Sequence, residues 1–140
     1  MIRKYANKAV AWLINTFNLN MQGARALTVR GRNTGNVQTL VVNPLEYKGD
    51  LYLVSSRGES SWVKNARAAG EVTLSKGNKP EVFRVSELDD TELKFSVMRD
   101  YLKRWGWQVS TFMHVSKSSS DEEVRAILHK HPTFLLKPVN

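Results

Sequence analysis

Cysteine is absent from the 140-residue chain. This excludes disulfides, thiolate catalysis and cysteine metal sites, and it is compatible with a reducing, cytoplasmic setting. No apolar run approaches the roughly 18 residues needed to span a bilayer. The basic residues never run three together, and no helix-turn-helix, zinc-finger or RNP-like pattern occurs, so no nucleic-acid partner is expected. No Gly-x-Gly-x-x-Gly follows the first strand-like run, which argues against a dinucleotide-binding doubly wound sheet. A Ser/His/Asp hydrolase lacks its nucleophile elbow. Of the three histidines, His129 and His131 sit at a helix end ahead of Pro132 and find no third ligand with His114, so no metal site is expected.

What is present describes one globular unit. The chain is 41% hydrophobic and 24% charged, and its length suits a single domain with one sizeable core. A net charge of +8, from 21 basic and 13 acidic residues, points to an anionic partner. Arg25, Arg30 and Arg32 form the densest local group. At the N-terminus, Arg3, Lys4 and Lys8 precede a short apolar run with no small-x-small pattern after it, which disfavours a secretory signal. Tyr5, Ala9, Trp12, Leu13 and Phe17 recur about one turn apart, so residues 1–20 read as an amphipathic helix. It would pack on the domain or lie peripherally on the inner, anionic face of a membrane.

Residues 21–140 read as alternating strands and helices. Ala26–Val29 is a short strand, and Asn33-Thr34-Gly35-Asn36 is turn chemistry. Val37–Leu45 is β-rich, with Pro44 near its end, and pairs in expectation with Leu51–Ser55 as a hairpin across Lys48-Gly49-Asp50. Ser60 is positioned as N-cap of a helix over Ser61–Ala69, closed by Gly70, with Trp62, Ala66 and Ala69 on one face. Glu71–Ser75 and Pro80–Leu88 flank a hairpin turn at Lys76–Lys79. Leu93, Val97, Met98, Tyr101, Leu102 and Trp105 form a helical stripe, whereas residues 106–119 resist assignment. Ser120 and Glu123 make a capping box for a helix that Pro132 stops, and Thr133–Lys137 is a final strand. About six strands in hairpin order, interleaved with helices, predict an antiparallel small barrel or rolled sheet.

Two loops hold the candidate chemistry. In Gly31-Arg32-Asn33-Thr34-Gly35, backbone amides around a glycine turn and one guanidinium suit phosphate or carboxylate; an ordinary polar turn explains the same residues. In Ser55-Ser56-Arg57-Gly58, followed by a capped helix, the helix N-terminus suits an anion, with Glu59 offsetting part of the charge; a plain strand-to-helix connection is the alternative. Trp62 would face a planar ring or belong to the core, with Lys64 and Asn65 on other faces of that helix.

Taken in order, these loops, Asn43-Pro44-Leu45-Glu46, Gly49-Asp50-Leu51-Tyr52-Leu53-Val54, Trp62–Gly70, Tyr101–Trp105, Ser119–Glu123 and His131-Pro132-Thr133-Phe134 resemble the deazaflavin-dependent nitroreductase family. That family belongs to the flavin/deazaflavin oxidoreductases. The resemblance covers roughly residues 20–138. It implies an α+β, mainly β, six-stranded antiparallel split β-barrel of the FMN-binding type with flanking helices. It further implies coenzyme F-420 as cofactor, with a hydride passed from its reduced form to a quinone, an activated alkene or a nitro compound. By the same resemblance, Arg32, Asn33, Thr34 and Gly35 would hold the phosphate and acidic tail. Ser55, Ser56, Arg57 and Gly58 would lie beside the ring and phosphate, and Trp62, Lys64 and Asn65 would close the site. No catalytic residue is assigned; Tyr101 or a water would supply a proton. The family's first loop carries two adjacent cations, whereas here Arg32 is followed by Asn33. This leaves F-420, FMN and no cofactor all open. The alternative is a non-catalytic split-barrel protein that binds lipid, fatty acid or FMN, and the fold is also compatible with a homodimer.

Overall fold

The computed structural model describes residues 23–139, so the expected N-terminal amphipathic helix lies outside the described residues. Seven strands form one antiparallel sheet: β1 (Arg25–Arg30), β2 (Val37–Val42), β3 (Leu45–Tyr47), β4 (Asp50–Val54), β5 (Glu71–Lys76), β6 (Lys79–Glu87) and β7 (Thr133–Pro138). Helix α1 spans Ser61–Ala69, α2 Thr91–Met113 and α3 Asp121–Ile127, followed by a single 3-10 turn at Leu128–Lys130. The α+β, antiparallel expectation holds, with seven strands in place of six.

The additional strand comes from a break at Asn43-Pro44. The run expected to continue from Val37 to Leu45 divides there. Its first part pairs with β1, Arg25 opposite Val42 through Arg30 opposite Val37, and not with β4 as expected from the sequence. Its last part pairs with β4, Leu45 opposite Tyr52. Proline lacks the N–H that a ladder needs, so Pro44 sits between the two strands and not within either.

Strand order in the sheet is β2-β1-β5-β6-β7-β4-β3. The two edge strands are therefore the two joined by Asn43-Pro44. Three Cα steps reach at most about 11 Å, so the sheet must curl until its ends meet at a seam. Helix α2 fastens that seam: the Trp105 indole donates to Pro44 O at 3.0 Å, and Asn43 Nδ2 donates to Gln108 Oε1.

Alternation along the strands supplies two cores. On β4, Leu53 faces the interior of the curl with Leu27, Val63, Val72, Phe134 and Leu136, while Tyr52 and Val54 face α2 with Val97, Met98 and Trp105. The α2 stripe continues past the expected residues through Val109 and Met113, so residues 106–113, unassigned from sequence, are helical. Gly106 interrupts the helical pattern because glycine costs about 1 kcal/mol relative to alanine there, and tertiary packing outweighs it.

Capping residues set several helix ends. Asp90 caps α2 through the amides of Glu92 and Leu93, and Ser120 and Glu123 form the expected capping box on α3. Gly70 closes α1 at φ +76 with its N–H on Ala66 O, a conformation that favours glycine. On α1, Trp62 and Ala66 are buried as expected, but Ala69 is exposed.

Trp105→Phe is expected to destabilise the fold by about 2–3 kcal/mol, since Pro44 O loses its donor and a ring's volume is vacated at a 1% exposed site. Urea unfolding followed by far-UV circular dichroism measures this.

Candidate functional site

The strand-to-helix loop after β4 is shaped by its own hydrogen bonds. Ser55 is buried at 1% exposure; its N–H donates to Pro132 O at 2.9 Å and its hydroxyl donates to Gly58 O at 2.6 Å. Gly58 has φ +81, and a Cβ there would lie 3.1 Å from Lys130 O, so both backbone angle and space call for glycine. Ser55 O accepts from Gly58 N–H and lies 2.8 Å from His131 Nδ1. A carbonyl can only accept, so Nδ1 carries the imidazole proton. Ser55 and Gly58, expected beside a cofactor, thus form the frame of the loop.

The frame leaves other groups facing outward. A cleft of about 330 Å³ lies at the seam, walled by Leu40, Val41 and Val42 of β2, and by Val54 and Trp62. Ser56, Arg57, Ser60 and Tyr101 complete its lining. This volume falls at the low end of small-molecule sites, about 300–1,000 Å³. Ser60 occupies the N-cap position of α1, but its hydroxyl makes no cap bond and is buried without a hydrogen-bond partner among the described residues. The first-turn amides of α1 point the same way, as at any helix N-terminus. No acidic side chain occupies that first turn.

Charge in the loop differs from the expected arrangement. Glu59 does not offset Arg57. Its carboxylate is held by Arg67 through two bonds of 2.7 Å, and that pairing keeps it below the ordinary carboxylate range. Arg67 also reaches Glu87, tying the loop to the end of β6. The guanidinium of Arg57 stacks instead on the Phe112 ring, 3.9 Å from the centroid.

Tyr101 is 2% exposed, and burial raises its phenol to about 12, while hydrogen bonds with Ser56 and Asn43 oppose that rise. It therefore stays protonated at neutral pH and presents a donor at the cleft.

The first loop lies outside the cleft lining but is connected to it. Asn65, 4% exposed, accepts from Arg32 N–H (3.0 Å) and Arg32 Nη1 (2.7 Å), and donates to Gln38 Oε1 (2.7 Å) at the cleft wall. Within the turn, the amides of Gly31, Gly35 and Asn36 are engaged with Asn36 O, Gly31 O and Thr34 Oγ1. Among the described residues the Asn33 and Thr34 amides take no bond within the turn. Gly35 has φ +78, which its type accommodates. Lys64 is exposed on the outer face of α1.

Of the expected site residues, the structure brings Ser56, Arg57 and Trp62 to the cleft. Trp62 serves mainly the core, at 7% exposure and 5.7 Å from the Phe134 ring. Gln38 and Val41 of β2, and Asn43 in the connection after it, line the cleft without having been expected there, because this segment carries no chemical signature and becomes a wall only through the seam. A larger groove of about 730 Å³ opens beside Gly23, where the described chain begins; none of the expected site residues lines it. Among the described residues no group of His, Cys, Asp or Glu could hold a metal ion, and no helix is long and apolar enough to cross a membrane.

The arrangement resembles several solved structures. An F-420-H2 dependent reductase is 17% identical, with a TM-score of 0.57 over 83% of this chain and 95% of that one. HutZ, the heme storage protein from Vibrio cholerae, is 12% identical, with a TM-score of 0.60 over 94% and 91%. An FAD-binding protein from Mesorhizobium loti is 14% identical, with a TM-score of 0.56 over 89% and 87%. At these identities the likeness shows the fold. No protein-family model matches the chain, and no curated protein sequence matches it.

Two outcomes test the frame. Burial holds His131 below its ordinary 6.5, against the Ser55 carbonyl, which favours the charged form. The unfolded chain then takes up the proton first, so stability is full above about 6.5 and falls as pH drops below it, until the folded state protonates too. Thermal melts from pH 7.5 to 5 are expected to slope less in His131→Asn, which keeps a donor for Ser55 O, than in the wild type. Separately, Asn65→Ala is expected to cost about 2 kcal/mol with no ligand present, from the unpaired Arg32 amide and Gln38, read by urea unfolding.

Proposed function

We propose that this protein is an oxidoreductase whose seam cleft binds a flavin-like, anionic cofactor, coenzyme F-420 in the first instance, and reduces a quinone, an activated alkene or a nitro compound. The observation that carries the reading is the donor set at one end of the cleft. A hydroxyl buried without a partner among the described residues (Ser60), the start of α1 and Arg57 share one cleft with an apolar wall. Such a set suits an anionic group attached to a flat apolar body. Structural likeness to a reductase and a flavin-binding protein supports the reading, although the haem storage neighbour shows that the fold also serves other ends.

When bound, the cofactor supplies the hydride. Every other role falls to the chain. Arg57, Ser60 and the α1 amides hold the anionic group, while the Asn33 and Thr34 amides with Arg32 receive an acidic tail. Asn65 keeps that turn at a fixed distance from the cleft through its bonds to Arg32 and Gln38. Leu40, Val42, Val54 and Trp62 exclude water from the ring's surroundings. Tyr101, buried and kept protonated at neutral pH, would hold a proton at its phenolic oxygen on the cleft lining. Asn33 in place of a second cation weakens the hold on an acidic tail by about 1–2 kcal/mol, which brings FMN into competition with F-420. The same reading carries a cytoplasmic setting and a homodimer.

Titration of the purified protein with reduced F-420 and with FMN is expected to give micromolar binding of at least one, with menadione reduction. Tyr101→Phe is expected to slow that reduction about 100-fold while cofactor affinity stays within about twofold. No binding of either cofactor, with a lipid seen by native mass spectrometry, would establish the binding-protein alternative.

A further inference from the structure

We propose that Phe112 is the positioning residue for Arg57: its ring holds the guanidinium over its face where Arg57 lines the cleft, leaving N–H groups to receive an anionic group. The inference rests on the cofactor-binding reading above and names a residue outside the set that the sequence suggested.

Phe112 is 44% exposed near the C-terminal end of α2, where the stripe that packs on the sheet runs through Val109 and Met113 instead. It belongs to neither core cluster and extends none of them. Its ring has one described role: the Arg57 guanidinium carbon lies 3.9 Å from its centroid. A cation over an aromatic face is attracted by the ring's quadrupole and keeps its in-plane N–H groups free. Among the described residues no carboxylate, carbonyl or hydroxyl takes that edge of Arg57, in contrast to Arg67, whose edge is occupied by Glu59 and Glu87.

An exposed arginine otherwise samples many rotamers and must lose that freedom on binding. Stacking on Phe112 fixes the side chain beforehand, on a loop that Ser55, Gly58 and His131 already hold still. Because Arg57 lines the cleft with its guanidinium over Phe112, its charge belongs to the same cleft as Ser60 and Ser61 at the start of α1. The device therefore spans two distant parts of the chain: the cation comes from the β4–α1 loop and its support from the far end of α2.

The experiment measures dissociation constants for F-420 and FMN in wild type, Phe112→Leu, Phe112→Tyr, Arg57→Ala and the Phe112→Leu/Arg57→Ala double variant. Melting curves check the fold. A ligand-free measurement accompanies them: the Arg57 Nε–H resonance, shifted by the ring in wild type. Phe112→Leu is expected to weaken the bound cofactor about three- to fivefold and to return that resonance to its unshifted position, with Phe112→Tyr restoring both. In the Arg57→Ala background the Leu substitution is expected to have no further effect. Wild-type binding that is unchanged by Phe112→Leu overturns this inference alone. An equal loss in the Arg57→Ala background also overturns it, since the ring would then act without the arginine. Absence of binding by wild type overturns the functional reading and this inference with it.

Discussion

A two-residue connection between opposite edges of one sheet is the constraint from which the rest follows. Val42 ends the first strand in the sheet order and Leu45 begins the last, with only Asn43 and Pro44 between them. An open, gently twisted sheet of seven strands cannot satisfy that link, because its edges would stand several strand spacings of about 4.8 Å apart. The curl is therefore imposed by covalent geometry, and α2 secures it with hydrogen bonds to Asn43 and Pro44. Every cleft-lining group described above is placed by that closure: β2 as wall, the end of β4 as rim, Tyr101 as donor at its base.

The two loops occupy different ranks in this arrangement. The strand-to-helix loop is a frame of buried bonds with a few outward groups. The glycine turn after β1 is mostly satisfied within itself and reaches the cleft through Asn65. A buried amide with three of its bonding positions filled by two separate elements is a structural tie. The family resemblance alone would have assigned Asn65 to the ligand. Its hydrogen bonds give it a prior duty to the fold, and any ligand contact is additional.

Local signals were legible in the sequence to the extent that their physics is local. The Ser120 cap, Gly70 at the end of α1 and the hairpin between β5 and β6 follow from backbone angles and short-range hydrogen bonds, whereas the Asp90 cap of α2 was not read. Proline marked an edge or bulge near Pro44, where the run does divide, but the pairing of β2 with β1 and of β3 with β4 was not legible, since it depends on closure of the whole sheet. Gly106 concealed the second half of α2 for the converse reason: local cost hid a stripe that tertiary burial sustains. At the site, Arg57 and Ser56 were visible through their loop, whereas Gln38, Val41 and Phe112 became relevant only when distant segments met. Glu59 was expected to temper the loop's charge, and a partner eight residues away, Arg67, removes it from that role.

The loop that carries Arg57 divides fixed from free positions within four residues. Ser55 is buried and Gly58 is confined by both angle and the Lys130 carbonyl, while Arg57 between them stands in solvent with its edge open. Exchange of the residue at 57 alters the charge on the cleft lining with little cost to folding, because no buried bond depends on it. Exchange at 55 or 58 is paid in stability whatever ligand is present. Positions that hold the scaffold and a position that leaves it untouched thus stand side by side in one loop, so that low sequence identity and a shared fold are compatible.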